Sequence, residues 1–430
     1  MRIMIAGTGS GCGKTTCSML LMACLRRQGF SVQPYKAGPD YIDPGFHRRI
    51  CGRPCYNLDT WLMQEKTLFR LLDTDADIGV IEGVMGYYDG MEAREMRASS
   101  WELAQVTHTP VLLTLDASGS AASAAAVVKG FETLREGSDL CGVLVNRASG
   151  ESHYERVREA VERYTGLPCL GWLKRQKDLE LPSRHLGLVT ARETPDLAAR
   201  IDRAAEEAEK TLDLSGILSL AQQAPGFGQA ERGRRLWHGR MGVAMDEAFQ
   251  FYYDANLEQI RDWGMEVVPF SPLHDRALPE GLDALYIGGG YPEVYAAELE
   301  GNESMRRQIR STLEAGLPCY AECGGFMYLS RDIDGHEMCG QLPVRCRMTG
   351  RLQHFGYVTV RDESGLSFPA HEFHRAEAIA EPEAVCTWTI QKGNGSGESW
   401  KGGYRRGHTL GGFAHVHFAD RPEVAGLLWR

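Results

Sequence analysis

The strongest constraint on the fold lies near the start of the chain, where an apolar run passes through a glycine-rich turn into a helical pattern. The run covers residues 3–6, and the turn ends in Gly13-Lys14-Thr15-Thr16. Closely spaced glycines let backbone amides face an anion, and the N-terminus of the following helix favours negative charge. The pattern therefore predicts a strand, a phosphate-binding loop and a helix, which together begin an α/β fold.

The loop departs from the strict Walker A spacing, because Thr8 stands where that pattern has its first glycine. The upstream glycine is Gly7, so the loop is one residue longer. Within it, a lysine supplies point charge to phosphates and a threonine offers a hydroxyl to Mg²⁺. We predict that six residues bind the nucleotide phosphates: Gly9, Gly11, Gly13, Lys14, Thr15 and Thr16.

Apolar runs typical of buried parallel strands recur between helical patterns in both halves of the chain. They cover residues 3–6, 78–81, 111–115 and 142–145, and then 241–245, 284–287 and 319–321. This alternation predicts right-handed βαβ units, and so an α/β fold with two doubly wound domains. A chain of 430 residues is also too long for one ordinary hydrophobic core.

The boundary between the two domains is predicted from a loss of periodicity. Residues 221–240 gather Gly, Gln and Arg, and a helical stretch from Asp196 to about Leu214 precedes them. We therefore predict a domain of residues 1–220, a linker of residues 221–240 and a domain of residues 241–430.

Composition excludes several classes of protein. A formal net charge of -10 argues against a general nucleic-acid or anionic-membrane surface, and the chain has no run of 18 apolar residues. The twelve cysteines include no Cys-x-x-Cys pair, which argues against a zinc ribbon or a disulfide framework. The apolar stretch before the first glycines is too short for a signal peptide, so we expect a cytoplasmic protein.

Two segments of the first half offer carboxylates to a metal ion. The first runs from Lys36 to His47 and contains Asp40 and Asp43; its prolines and glycines predict a loop. The second begins with Glu82, at the end of a predicted apolar strand, and continues to Asp89. Ligands bind at this edge of an α/β sheet, and Mg²⁺ prefers hard oxygen donors.

A second centre of chemistry is predicted around Cys323. Here an apolar strand turns sharply at two glycines into a helix, a position where the helix dipole favours a thiolate. The strongest candidates for the base that takes the thiol proton lie in Gly411-Gly-Phe-Ala-His415-Val-His417-Phe. Alternation would place both histidines on one side of a strand. Amides of the turn at residues 288–293, with that of Gly324, would bind an oxyanion.

Taken together, these motifs closely resemble the cobyrinate a,c-diamide synthase family over nearly the whole chain. The resemblance rests on the phosphate loop, residues 36–47, Asn57-Leu-Asp-Thr-Trp61, residues 82–90 and the motifs around Cys323 and His415. The resemblance implies a first domain similar to dethiobiotin synthetase and a second that is a class I glutamine amidotransferase. It also implies ATP, Mg²⁺ and L-glutamine, and a corrin-type tetrapyrrole whose carboxylates are activated as acyl phosphates.

Roles carry over residue by residue from this resemblance. Lys14 and Thr15 would contact phosphate and metal, Asp40 and Glu82 would be Mg²⁺ ligands, Asp43 and Asp89 would lie near the reacting carboxylate, and Cys323 and His415 would be nucleophile and base. Ordinary class I domains end in His-Pro-Glu, whose glutamate orients the histidine. Here that position is His417, so the usual acidic residue is missing and the role of His417 stays open.

Alternatives with the same chemistry are cobyric acid synthase and a diamide synthase for a sirohydrochlorin-like or haem-like tetrapyrrole. A partitioning or switch ATPase is a different class, but Gly9 stands where those proteins carry a signature lysine. The motif His371-Glu-Phe-His374 also matches the family, and either substrate or interdomain contacts or a surface loop would explain it. The oligomeric state stays open, with a homodimer as one expectation.

Overall fold

The computed structural model describes residues 1–92, 95–176, 196–228 and 235–429, together with the backbone of residues 183–184 and 187–188. The chain divides into two compact units, Met1–Ala230 and Glu231–Arg430. This division falls within the predicted linker, of which residues 229–234 lie outside the described part. The exact limits at 220 and 241 stay a prediction.

The first unit alternates strands with helices. Its strands are β1 (Arg2–Gly7), β2 (Val32–Ala37), β3 (Tyr56–Leu58), β4 (Ile78–Glu82), β5 (Val111–Asp116), β6 (Leu140–Asn146), β7 (Cys169–Trp172), β8 (Ser183–Arg184) and β9 (Gly187–Leu188). Its helices are α1 (Lys14–Arg27), α2 (Asp43–Cys51), α3 (Glu65–Leu72), α4 (Ser100–Thr107), α5 (Ser123–Thr133), α6 (Glu151–Thr165), α7 (Leu197–Ala208) and α8 (Leu214–Ala221).

Seven of these strands form one parallel sheet in the order β3-β2-β4-β1-β5-β6-β7. β1 lies at its centre and is buried along its whole length, as a strand covered on both faces must be. In the register, Glu82 of β4 lies opposite both Ile5 of β1 and Lys36 of β2. The carboxyl ends of these three strands therefore meet at one edge, where the predicted ligand-binding residues are found.

Helix α1, which follows the phosphate loop, is buried on nearly all sides. It shares a core with the apolar residues of α7, including Leu197, Ile201 and Ala205. The helical stretch predicted from Asp196 is thus confirmed, although it ends at Ala208. A new helix, α8, begins beyond Asp213, whose carboxylate accepts the N–H of Gly216 as an N-cap.

The segment predicted as a loop between Lys36 and His47 is only partly a loop, because α2 begins at Asp43. Proline at the first turn of a helix costs no hydrogen bond, since N–H groups there have no intrahelical acceptor. The Asp40 carboxylate accepts the N–H groups of Ile42 and Asp43 and so forms a turn directly before this helix. The Pro44-Gly45 pair is therefore the start of a helix.

The second unit contains the remaining elements. Its strands are β10 (Gly239–Ala244), β11 (Phe249–Phe251), β12 (Met265–Phe270), β13 (Ala284–Ile287), β14 (Gly289–Gly290), β15 (Cys319–Glu322), β16 (Asp332–Ile333), β17 (His336–Glu337), β18 (Val344–Asp362), β19 (Ser367–Ala380), β20 (Val385–Lys392), β21 (Ser399–Arg406) and β22 (Thr409–Gly412). Its helices are α9 (Asp254–Asp262), α10 (Ala296–Gly301), α11 (Glu303–Glu314), α12 (Gly324–Leu329) and α13 (Pro422–Leu428).

The main sheet of this unit has two halves. Strands β12-β10-β13-β15-β22 are parallel, which confirms the predicted strands at 241–245, 284–287 and 319–321. Beyond β22 the sheet continues through β21, β20 and β18 with antiparallel pairing, and β19 pairs with β18. This antiparallel half lies in the chain between β15 and β22, and the apolar pattern did not predict it.

All twelve cysteines lie in the described part of the chain, and all have free thiols. None of the described helices combines the length and apolar character that a membrane crossing requires. The longest is α6, at 15 residues, and its solvent face is charged.

Candidate active sites

The loop after β1 has the backbone that its glycines predict. Gly11 and Gly13 have φ values of 77° and 99°, which favour glycine, and Gly13 directly precedes α1. The Lys14 ammonium donates back to the carbonyl of Gly9 at 3.0 Å, so the lysine folds over the loop. Thr15 and Thr16 follow in the first turn of α1.

Neighbouring side chains explain two of the glycines. A Cβ at Gly7 would lie 2.5 Å from the Cys12 sulfur and 2.7 Å from Cγ of Lys14, so these side chains leave no room for a larger residue at position 7. A Cβ at Gly13 would lie 2.0 Å from Nδ2 of Asn146. That amide donates to the Cys12 carbonyl at 2.9 Å, which fixes the loop from the end of β6.

Arg147 also contacts the loop, donating to the Gly11 carbonyl at 2.9 Å, and neither Asn146 nor Arg147 was predicted as a loop contact. The sequence could have indicated both residues as ligand-site candidates. Asn146 is the last residue of the apolar strand β6 and Arg147 follows it, at the edge of the sheet where ligands bind.

A buried lysine brings the predicted carboxylates of the first unit together. Nζ of Lys36 lies 2.6 Å from Oδ2 of Asp43, 2.8 Å from Oε1 of Glu82 and 3.7 Å from Oδ2 of Asp40. Burial alone would lower the pKa of Lys36, but the three carboxylates raise it well above its usual range. Lys36 was part of a recognised motif, yet its position at the centre of this cluster was not predicted.

Glu82 is fully buried and bonded through both of its carboxylate oxygens. Thr15 Oγ1 donates to Oε1 at 2.7 Å, and Nε2 of His47 lies 2.6 Å from Oε2. Burial alone would raise the pKa of Glu82, but the Lys36 ammonium and His47 hold it well below its usual range. The carboxylate is therefore ionised at the junction of the phosphate loop and the sheet.

Asp89 is exposed and lies apart from this cluster in the contacts described for it. Its carboxylate accepts the N–H of Gly86 at 2.8 Å, which closes its own turn. That turn abuts the phosphate loop, since a Cβ at Gly86 would lie 3.4 Å from Cα of Gly9. Of the four predicted carboxylates, the structure thus groups Asp40, Asp43 and Glu82.

In the second unit, Cys323 occupies a strained turn between β15 and α12. Its φ and ψ are 47° and -101°, a conformation that costs a non-glycine residue about 1–3 kcal/mol. Its N–H donates to the carbonyl of Gly412 at 2.7 Å, and its own carbonyl accepts the N–H of Met327 at 2.9 Å. These bonds from β22 and α12 hold the thiol at the end of the parallel sheet, as in a nucleophile elbow.

The glycine turn predicted to bind an oxyanion lies beside this cysteine. Its residues Gly289 and Gly290 form β14, which pairs with β11. A Cβ at Gly324 would lie 2.9 Å from the backbone nitrogen of Gly290, and one at Gly289 would lie 2.6 Å from Cε1 of His415. The glycine amides, Cys323 and His415 therefore approach one another so closely that side chains on these glycines would fill the space.

His415 is buried and hydrogen-bonded to the Cys323 sulfur. Burial alone would lower the pKa of His415, but Cys323 and Glu322 raise it to about 10. This arrangement favours the protonated form of His415 beside Cys323.

The expectation that His415 and His417 share one side of a strand is wrong. β22 ends at Gly412, and His415 forms only an isolated bridge with His371 of β19. The ring of His417 instead packs 5.1 Å from that of Tyr253. The chain leaves the sheet before either histidine is reached, and the structure describes a hydrogen bond to the Cys323 sulfur for His415.

The motif His371-Glu-Phe-His374 lies on β19, and its backbone is hydrogen-bonded to that of His415. The N–H of His415 donates to the His371 carbonyl at 2.8 Å, and the N–H of His371 donates to the His415 carbonyl at 3.1 Å. His374 stacks on Phe413 at a centroid distance of 3.8 Å. The surface-loop alternative is therefore excluded, since both histidines are buried in a strand.

Comparison with known families agrees with this geometry. Residues 3–189 match the CobQ/CobB/MinD/ParA nucleotide binding domain, and residues 240–423 match the CobB/CobQ-like glutamine amidotransferase domain. The fold and the two sites thus define a P-loop nucleotide-binding domain joined to a glutamine amidotransferase domain. Such a P-loop domain implies that the protein uses a nucleotide.

Full-length relatives specify the family further. Proteins named cobyrinate a,c-diamide synthase from Listeria innocua and Syntrophotalea carbinolica are 39% and 41% identical to this chain. The alignments cover 98% and 99% of this chain, and 97% of each relative. One from Salmonella typhimurium is 38% identical over 98% of this chain and 96% of its own length. The chain belongs to the cobyrinate a,c-diamide synthase family.

Proposed function

We infer that the protein is a glutamine-dependent carbon–nitrogen ligase that uses ATP to amidate the a and c side-chain carboxylates of cobyrinate or a related tetrapyrrole. One observation carries this inference: a single chain of this family contains both a phosphate loop and a hydrogen-bonded Cys323–His415 pair. A cytoplasmic location and a homodimer stay predictions based on the sequence.

In the first unit, ATP phosphates would lie over the loop, with Lys14 and the amides of Gly9, Gly11 and Gly13 compensating their charge. The acceptor carboxylate attacks the γ-phosphorus, ADP leaves, and an acyl phosphate results. Ammonia then attacks the acyl carbon and expels phosphate. Two such cycles, one at each side chain, give the diamide.

Mg²⁺ fits the donors at the edge of this sheet. Thr15 Oγ1 lies 2.7 Å from Glu82 Oε1, and the Asp40 carboxylate is partly exposed beside them. The described residues contain no group of three or more His, Cys, Asp or Glu that could hold a metal alone, but Mg²⁺ commonly binds one or two carboxylates together with substrate phosphates and water. When bound, the ion neutralises phosphate charge.

Lys36 would organise the acceptor side of this site. Its ammonium compensates the like charges of Asp43 and Glu82, which would otherwise repel each other and an incoming carboxylate. Asp43, and more remotely Asp89, would line the position of the reacting carboxylate.

In the second unit, His415 takes the Cys323 proton and the thiolate attacks the side-chain amide carbon of glutamine. The N–H groups of Gly290 and Gly324 would stabilise the tetrahedral oxyanion. His415 then gives its proton to the departing ammonia, which leaves a glutamyl thioester. Water hydrolyses this thioester to glutamate and regenerates the thiol.

The substrate is tested by offering the purified protein cobyrinate, a sirohydrochlorin and a haem-like tetrapyrrole, each with ATP and glutamine. We expect two amides on cobyrinate or on one related macrocycle, measured by mass, and none when ATP is omitted. Amidation of the remaining side chains of a preformed a,c-diamide would indicate cobyric acid synthase instead. A protein that amidates no tetrapyrrole would contradict the proposed function.

The two C-terminal histidines should differ in effect. His415→Ala should abolish glutamine hydrolysis and slow alkylation of Cys323 at neutral pH, because the thiolate loses its imidazolium partner. His417→Ala should cost far less, since its ring packs on Tyr253. Alkylation is followed across pH by mass spectrometry of the peptide that contains Cys323. A larger upward shift of the alkylation midpoint in His417→Ala would reverse the two roles.

A further inference from the structure

A carboxylate is buried beside the proposed base, on the strand that carries the nucleophile. Glu322 is the last residue of β15 and directly precedes Cys323. Its Oε2 lies 3.8 Å from Nδ1 of His415, and both side chains are at most 2% exposed. The residue two positions after the base, His417, offers no carboxylate, so the acidic group reaches His415 from a different element.

Three donors hold the Glu322 carboxylate in place. The hydroxyl of Tyr286 donates to Oε2 at 2.9 Å, while the hydroxyl of Tyr320 and the N–H of Val416 donate to Oε1 at 3.0 and 2.9 Å. Bonds of this kind offset the cost of burying a carboxylate and fix its orientation. Since Val416 follows His415 directly, Glu322 holds the backbone of the base as well as facing its ring.

We propose that Glu322 is the positioning residue of the glutamine-hydrolysing site, orienting the His415 ring and stabilising the imidazolium that forms when Cys323 gives up its proton. It would take the role that the carboxylate two residues after the histidine has in ordinary class I domains. The proposal rests on the proposed function, because it assigns Glu322 a part in glutamine hydrolysis.

Four other titratable groups of the described chain that interact with Glu322 or His415 are neutral near pH 7. They are His371 on β19, Tyr252 between β11 and α9, Tyr286 on β13 and Tyr320 on β15. Burial raises the pKa of the three tyrosines well above their usual range and lowers the pKa of His371 to about 3. None of these four groups is an anion, so the negative charge that the structure places beside His415 is that of Glu322.

The first variant is Glu322→Gln, which keeps the shape of the side chain and removes its charge. We expect kcat for glutamine-supported amidation to fall on the order of a hundredfold with little change in the KM for glutamine, because Glu322 acts through His415. Ammonia-supported amidation should be unchanged. The midpoint of Cys323 alkylation should move to higher pH, since the imidazolium that stabilises the thiolate loses its own partner.

Two further variants separate charge from folding. Glu322→Asp keeps the charge, so its alkylation midpoint should stay nearer that of the wild type while kcat falls because the shorter chain recedes from the ring. Asp332→Asn removes a buried carboxylate of the same unit that pairs with Arg345 and Arg347. It should lower the thermal unfolding temperature without moving the alkylation midpoint.

An unchanged midpoint in Glu322→Gln, or an equal shift in Glu322→Asp, would overturn the proposal, as would a rise in KM at constant kcat. Alkylation of Cys323 requires no enzymatic turnover, so its pH midpoint can be measured even if the Glu322→Gln variant is inactive. A wild-type protein that hydrolyses no glutamine would reject the proposed function. An active wild type with a fully active Glu322→Gln variant would reject only the role of Glu322.

Discussion

Cys323→Ser should abolish glutamine-supported amidation and leave ammonia-supported amidation largely intact. Serine cannot form a comparable nucleophile beside His415, because its hydroxyl is far less acidic than a thiol. The phosphate loop and the carboxylate cluster belong to the other compact unit, so activation of the acceptor should persist. The measurement is amide formation on the tetrapyrrole with ATP and either glutamine or an ammonium salt.

The matched control is Cys386→Ser, the same chemical change at a half-buried cysteine of β20. Both activities should survive it. If Cys323→Ser lost both activities equally, the assignment of the two half-reactions to two units would be wrong.

Neutralising Lys14, Asp40 or Glu82 should produce the opposite pattern, a loss with either nitrogen source. These groups would hold phosphate and metal around a developing charge, and such preorganised electrostatics are worth several kcal/mol. For Lys14→Ala, Asp40→Asn and Glu82→Gln we therefore expect amidation to fall on the order of a hundredfold or more. ATP turnover in the presence of the tetrapyrrole is the readout, while glutamine hydrolysis assayed alone should persist.

The control for Glu82 is Asp77→Asn, since Asp77 lies just before β4 and Glu82 ends it. Asp77 is exposed and accepts bonds from Ser31, so its loss removes a carboxylate from the far edge of the same sheet. Near-normal ATP turnover in Asp40→Asn or Glu82→Gln would show that the ligand assignment is incorrect.

Local chemistry made much of this molecule predictable. The phosphate loop and the Cys323 turn each combine a strand, glycines and a helix in consecutive residues, so their backbone follows from short-range rules. The seven apolar runs became parallel strands for the same reason, because a strand covered on both faces must be apolar throughout. The resemblance of these motifs to the diamide synthases is confirmed by full-length relatives.

Other features depend on contacts between distant residues and escaped prediction. Lys36 and Glu82 meet because β2 and β4 are neighbours in register, and Glu322 meets His415 because β22 pairs with β15. Strand order is a property of the folded sheet, so polar residues inside apolar strands gave no sign of their partners. The long strands β18 and β19 were missed because their alternation is irregular and their register shifts.

The position of the antiparallel half between β15 and β22 has a consequence for synthesis of the chain. Cys323 emerges from the ribosome well before His415, and the two meet once β22 pairs with the edge of β15. A chain that ends before β22 therefore lacks both the Gly412 carbonyl that accepts the Cys323 N–H and the imidazole of His415. We therefore expect chains that lack β22 not to hydrolyse glutamine, so that this activity requires the β15–β22 pairing.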